Sequence, residues 1–349
     1  MGHLTESAIV GLLPVLTLLA TLLYLDSYKL VKLRAVLAVV GSGAIIAAFC
    51  YVANAYLLAL FAMDLDAFTR FVGPVTEELF KSLIVVALVR SHRIGFLIDA
   101  AIFGFAVGTG FATIENLYYL ERFPDVGIGM WIVRGFGTAL MHGGCTAIFA
   151  MISVAILERA RTGAFVAPVP GFVVVVLLHS AYNHMYVSPK LATAVVIVVL
   201  PPLLLLVFQR SERSVSDWLV DGFDADTQML EAITSGRFAD SPAGRYLNSI
   251  KHRFKSAVVG DLLCYIRLHT ELALRAKGML LMRENGFDIS VDDETRAKLV
   301  EMRYLKRSIG KTGMLAMQPM LYGTHKDIWQ LNLLDEESET AAGKPSPTD

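Results

Sequence analysis

The fold class this sequence predicts is all-α: a polytopic bundle of about seven transmembrane helices followed by a helical cytoplasmic region. Three observations predict it. The 349 residues are 55% hydrophobic and only 18% charged, with a mean hydropathy of +0.55, too apolar for an ordinary soluble domain. Charged residues crowd into the last part of the chain, so the apolar excess falls on roughly the first 210 residues. Within that stretch, seven apolar runs approach or exceed the roughly 20 residues that cross a hydrocarbon core of about 30 Å. The formal net charge of -1 excludes a strongly basic nucleic-acid binder. Three cysteines, Cys50, Cys145 and Cys264, show neither CxxC nor paired spacing, so they supply no disulfide framework and no zinc ribbon. All three are read as packing residues.

In order, the expected spans cover about 8–26, 35–61, 66–89, 95–120, 127–157, 166–187 and 190–208. The first is not read as a signal peptide, because no basic segment precedes it, no A-x-A pattern follows it, and more spans come directly after. Lys29, Lys32 and Arg34 fall after the first span, Arg90 and Arg93 after the third, Arg159 and Arg161 after the fifth, and Arg210 and Arg213 after the seventh. The other loops offer one basic residue each, Arg70, Arg122 and Lys190. This alternation places the N-terminus outside and the C-terminus in the cytoplasm of a multi-pass cell-membrane protein.

Three regions follow: a membrane domain over 1–210, a cytoplasmic helical domain over 211–335, and a disordered tail over 336–349. In the second, Ser241-Pro242 suits an N-cap followed by proline at the first helical position. Leu262, Leu263, Ile266, Leu272 and Leu274 recur at helical spacing in a long amphipathic segment ending near Gly286. Ser290 with Asp293 resembles a capping box for the next helix. Gly310-Lys311-Thr312 is not a phosphate-binding loop, since Leu305 stands where that loop needs a glycine. The tail is polar and carries Pro345 and Pro347, a composition that does not fold alone.

Ionisable residues at the centre of a span cost about 2.5–3.5 kcal/mol each on insertion scales, so each one inside an apolar run raises a functional hypothesis. The third span carries Glu77, Glu78 and Lys81 in GPVTEELFKSL, and the four-residue spacing of Glu77 and Lys81 predicts an ion pair in the favourable order. The fourth carries Glu115 and Asn116 in FATIEN, with Gly104, Gly108 and Gly110 one and two turns before, where another helix backbone can approach closely. The fifth holds Arg134 and His142, and the sixth holds His179, Asn183 and His184 in LLHSAYNH. A lone membrane histidine or glutamate is commonly a packing residue; two histidines and three carboxylates on four consecutive spans are not that case. His184 points away from the face shared by His179 and Asn183 and is left out of the site. At 1.5 Å per residue, Glu78, Glu115, His142 and His179 all fall roughly 8–22 Å below the outer surface, so one site can contain them.

EELFK, FATIEN, a histidine in a glycine-rich span (His142) and HSAYN, in this order, resemble the PrsW family of intramembrane proteases, similar in its motifs to the CAAX prenyl endopeptidases. The resemblance covers about residues 70–187. It implies a membrane-embedded peptidase, classed with metallopeptidases, acting on membrane-anchored regulatory proteins such as anti-sigma factors near the outer face. The prenyl-peptidase relatives have a histidine where this chain has Glu115, so neither their ligand assignment nor a prenylated substrate carries over.

Peptide hydrolysis inside a membrane needs an activated water, a group that stabilises the oxyanion, and a cavity that admits water. Two histidines and a carboxylate can hold a divalent ion, Zn2+ above all, with one position left for water. The assignment preferred from sequence is Glu115, His142 and His179 as metal ligands, Glu78 as general base, and Glu77 held by Lys81. Asn183 orients His179 or donates to the oxyanion, and Asn116 is a second candidate for that task. A metal-free glutamate mechanism stays open, with Glu78 as base and His179 and Asn183 as oxyanion donors. So do two non-proteolytic alternatives, an ion- or proton-coupled transporter and a membrane scaffold. The polar residues are confined to four successive spans without repeated halves, which argues against transport. The helical region after residue 210 suits a regulatory partner.

Overall fold

The computed structural model describes residues 2–160, 166–287, 289–321 and 325–342, and these residues are helical apart from their connections. The chain divides into two compact units, Met1–Glu212 and Arg213–Asp349, described separately here.

In the first unit, α1 (Gly2–Leu25), α2 (Leu33–Phe61), α3 (Gly73–Arg90), α4 (Leu97–Arg122), α5 (Leu140–Ala160), α6 (Pro168–Asn183) and the first half of α7 (Pro189–Thr234) stand at the seven expected positions. Five helical stretches, Leu4–Leu25, Leu33–Phe61, Leu97–Arg122, Ile128–Arg159 and Pro189–Thr234, are long and apolar enough to cross a membrane. The third expected span, α3, is an 18-residue helix that carries Glu77, Glu78, Lys81 and Arg90. The sixth, α6, is apolar but only 16 residues long.

α4 is the centre of this unit. Every residue from Ile98 through Ala112 is buried, so this helix is apolar on all sides, as a helix surrounded by others must be. Its glycines set how closely the neighbours come. A Cβ on Gly110 would overlap the Val40 carbonyl of α2, and one on Gly108 would overlap the His142 carbonyl of α5. Gly108 therefore brings the backbone of His142 against α4.

Two helices of the bundle begin irregularly. A short turn, Leu65–Ala67, capped by the Asp64 side chain, leads through a π-helical turn at Phe68–Val72 into α3, with Pro74 in the first turn of the regular helix. A second π-helical turn at Val133–Ala139 joins Ile128–Ile132 to α5. Such wide turns recur next to functional sites. Cys50 and Cys145 are buried packing residues, as expected, whereas Cys264 is exposed.

The second unit holds the end of α7 and helices α8 (Pro242–Ile250), α9 (Ser256–Glu284), α10 (Asp293–Leu321) and α11 (His325–Ala342). Ser241 caps α8 by accepting from the Gly244 amide, with Pro242 next, as the sequence predicts. α9 ends at Glu284, just before Gly286 at φ +82. The cap of α10 is Asp292, whose carboxylate accepts from the Thr295 amide at 2.8 Å, in place of Ser290. Gly310, at φ +72, breaks α10 into two helical pieces, which accounts for the glycine in Gly310-Lys311-Thr312 without any phosphate. Buried Lys277 pairs with Asp226 at 2.6 Å and donates to Gln330 at 2.9 Å, joining α7, α9 and α11. α11 continues through 336–342, read from sequence as the start of the tail: its Glu337 pairs with Arg283, and Leu333 and Leu334 are buried. Residues 343–349 lie outside the described residues.

Candidate metal centre

The four helices α3 to α6 bring their polar side chains into one buried group, as the shared depth predicts. Lys81 donates to Glu78 Oε1 at 2.6 Å, with the two side chains 0% and 1% exposed. His179 Nδ1 lies 2.7 Å from the same oxygen. On its other side, Lys81 Nζ is 3.2 Å from His142 Nδ1. His142 Nε2 lies 2.9 Å from Glu115 Oε2. The two imidazoles are nearly perpendicular, with centroids 4.9 Å apart, and Phe111 lies 5.0 Å from the His142 ring.

These partners fix which nitrogen of each ring carries a proton. A carboxylate only accepts, and an ammonium only donates. His179 therefore donates from Nδ1 to Glu78, and His142 donates from Nε2 to Glu115 while its Nδ1 accepts from Lys81. His179 Nε2 keeps a free lone pair, whereas that of His142 Nδ1 faces Lys81 Nζ at 3.2 Å, a contact that a cation at this nitrogen would replace. Glu77 Oε2 stands 3.9 Å from His179 Nε2. Among the described residues, Glu77, His142 and His179 form a group whose ligand atoms all lie within 4.8 Å of one another.

The donor set fits a divalent cation. It comprises two imidazoles and a carboxylate, the composition of His₂Glu metal centres. Each histidine also bonds a carboxylate through its other nitrogen, the second-shell arrangement that fixes ring orientation and raises ligand basicity. Counting charges, Glu77, Glu78 and Glu115 face Lys81 and Arg134, leaving one negative charge in excess around the two rings. The site is not sealed: the Glu77 side chain is 19% exposed and that of Glu115 27%.

Several sequence expectations change on this geometry. Lys81 makes its short ion pair with Glu78, three residues away, in place of Glu77. Glu77, not Glu115, groups with the two histidines, and Glu115 holds the far side of His142. Glu78 is enclosed between Lys81 and His179. Asn183 does not reach the His179 ring; its amide donates to the Thr69 carbonyl at 2.9 Å, in the π-helical turn before α3. Asn116 is committed on both ends, donating to the Gly11 carbonyl at 2.7 Å and accepting from Arg134 at 2.8 Å. His184 bonds the Ser180 carbonyl at 2.7 Å, outside the site as expected.

Asn54 is missed in the sequence reading, and Arg134, though noted there, is given no role. Asn54 of α2 donates to Glu77 Oε1 at 3.3 Å and accepts from Thr76 at 2.7 Å; its only signal in sequence is an amide within an apolar run. Arg134 lies 3.3 Å from Glu115 Oε1, and its signal was a buried cation eight residues before His142.

A bundle of helices long and apolar enough to cross a membrane, with two histidines and three carboxylates gathered in its interior, has a donor set that suits a metal-dependent hydrolase. The chain belongs to the PrsW family of intramembrane metalloproteases, whose family model matches residues 32–207, just over half of its length. It is thus a multi-pass membrane peptidase, which decides against the transporter and scaffold readings. No curated protein and no solved structure matches the chain.

Proposed function

We propose that Glu77, His142 and His179 hold a divalent metal ion, for which Zn2+ is the best fit, and that the chain uses this centre to cleave membrane-anchored protein substrates near the outer face. The observation that carries the reading is the convergence of these three ligand groups within 4.8 Å, each histidine backed by a second carboxylate. When bound, such an ion polarises the scissile carbonyl and makes water nucleophilic near neutral pH.

The protein groups divide the remaining work. Glu78, enclosed by Lys81, fixes His179 through Nδ1. Glu115 fixes His142 through Nε2. Glu77 meets the Asn54 amide at 3.3 Å and His179 at 3.9 Å, both long contacts, so its carboxylate can both ligate and accept a proton from water. Single-span regulatory proteins of the anti-sigma-factor type are the substrate class. The lipid bilayer surrounds residues 1–210, with the N-terminus outside, and the helical region of 211–335 offers a cytoplasmic surface to a regulatory partner.

Metal analysis of the purified protein, run beside cleavage of a panel of single-span substrates, tests the reading. One equivalent of metal and a cut near the outer boundary are expected. Glu77→Gln should lose metal and turnover together, and Glu78→Gln should weaken metal binding by about 10–100-fold. Wild-type protein that cleaves the panel without metal, with Glu78→Gln inactive and Glu77→Gln active, would return the base to Glu78 and defeat the metal centre.

A further inference from the structure

We infer that Arg134 is a positioning residue for the proteolytic site, holding Glu115 so that His142 presents Nδ1 to the centre. The inference rests on the ligand set proposed above and adds a residue to it.

Arg134 is 7% exposed and lies in the π-helical turn Val133–Ala139. Its guanidinium is pinned on two sides before it meets Glu115. The group lies 3.7 Å from the centre of the Tyr119 ring, a stacking contact that restrains its plane. Nε donates to Asn116 Oδ1 at 2.8 Å, and Asn116 is itself tied to the Gly11 carbonyl of α1 at 2.7 Å. So placed, Nη2 stands 3.3 Å from Glu115 Oε1, close enough for strong attraction although not aligned as a hydrogen bond.

Glu115 needs such a hold. Its side chain is 27% exposed, the most open carboxylate of the three, and an unrestrained glutamate has three rotatable bonds. With Oε1 turned toward Arg134, Oε2 is left for His142 Nε2 at 2.9 Å. That bond fixes the orientation of the ring, and with Lys81 Nζ 3.2 Å from Nδ1 it keeps the proton on Nε2. The order of action is Tyr119 and Asn116 on Arg134, Arg134 on Glu115, and Glu115 on the orientation of the His142 ring. A role confined to joining α1, α4 and α5 would leave the His142 to Glu115 hydrogen bond unchanged.

The test uses the full-length protein with labelled histidines. In metal-free wild type, the 15N shifts of the His142 ring should report a single form protonated at Nε2. Arg134→Met should keep the Nε2-protonated form, since Lys81 still faces Nδ1, but move its Nε2 shift as the bond to Glu115 loosens, with a fall in kcat of about 10–100-fold, KM little changed, and weaker metal binding. Arg134→Lys keeps the charge without the planar fork, so its kcat should lie between those of Arg134→Met and wild type. If Arg134→Met does not fold, Arg134→Gln, which still reaches Asn116, carries the same expectation. A neutral variant that keeps both the wild-type kcat and the wild-type Nε2 shift of His142 overturns the inference, as does a lysine variant no better than methionine. The ring shifts are read without metal, so they judge Arg134 whether or not the proposed ligand set holds. Failure of the ligand set appears separately, as wild-type protein without metal or as active Glu77→Gln.

Discussion

Lys81→Met separates the pairing seen in the structure from the one the helix spacing suggests. Lys81 and Glu78 are 2.6 Å apart with side chains 0% and 1% exposed. At an effective dielectric of about 20, two unit charges at that distance attract by roughly 6 kcal/mol before desolvation is counted. Removing the lysine leaves Glu78 with the single hydrogen bond from His179, and stranding a buried charge in this way costs about 3–5 kcal/mol. That is a large part of a typical total stability of about 5–15 kcal/mol. The measurement is a double-mutant cycle by equilibrium unfolding in mixed micelles, pairing Lys81→Met once with Glu78→Gln and once with Glu77→Gln. Neutralising Glu78 should restore much of the lost stability, giving a coupling larger by at least about 1 kcal/mol than the coupling to Glu77. Equal couplings, or a larger one to Glu77, would refute the assignment and return Lys81 to the partner four residues away.

Three further outcomes are expected. Gly110→Ala should destabilise the membrane unit by about 1–3 kcal/mol, because its Cβ would overlap the Val40 carbonyl, whereas Gly41→Ala, with nothing within 4 Å, should stay within about 0.5 kcal/mol; thermal unfolding in detergent compares them directly. His269, outside the membrane spans, is held down to about 4 by burial and by nearby Lys277, whereas an unfolded histidine titrates near 6.5. Between these values the unfolded chain binds a proton that the folded chain refuses, so this contribution is complete above about pH 6.5 and is lost as pH falls toward 4, by about 3 kcal/mol; His269→Gln should flatten that part of the stability curve. Reporter fusions after Arg34, Arg70, Arg90, Arg122, Arg161 and Lys190 should alternate in side, and two adjacent fusions on the same side would overturn the proposed orientation.

The positions of the membrane helices are legible in the sequence because a span of about 20 residues must satisfy its backbone internally and bury apolar side chains outward. Composition alone carries that information. The convergence of α3 to α6 is legible as well, since polar groups in hydrocarbon must meet partners and these four runs carry them at one depth. The roles inside the site are less so. Glu77 and Glu78 are neighbours on α3, one four and one three residues from Lys81, and both spacings permit an ion pair. The choice is made by other helices: α5 supplies His142 Nδ1 on one side of Lys81, and α6 supplies His179 Nδ1 on the free side of Glu78. Nothing within GPVTEELFKSL encodes either approach.

The role of Asn183 is hidden for a different reason. Spacing places it one turn after His179, where it reads as a partner of the ring. The π-helical turn Phe68–Val72 changes the demand for donors at the N-terminal end of α3, because a wide turn displaces carbonyls from the regular ladder of a helix. Two of those carbonyls, Thr69 and Arg70, are met by Asn183 at 2.9 Å and Ser180 at 2.6 Å, both on α6. The same helix thus fixes the backbone just before Glu77 and Glu78 and delivers His179 to them. Substituting Asn183 should therefore shift α3 as a unit, moving both glutamates relative to His179, and not remove a group from the reaction. Loss of activity at Asn183 by itself does not identify an oxyanion donor in this fold; a donor would leave the Glu78 to His179 hydrogen bond intact, whereas loss of the clamp on α3 would lengthen it.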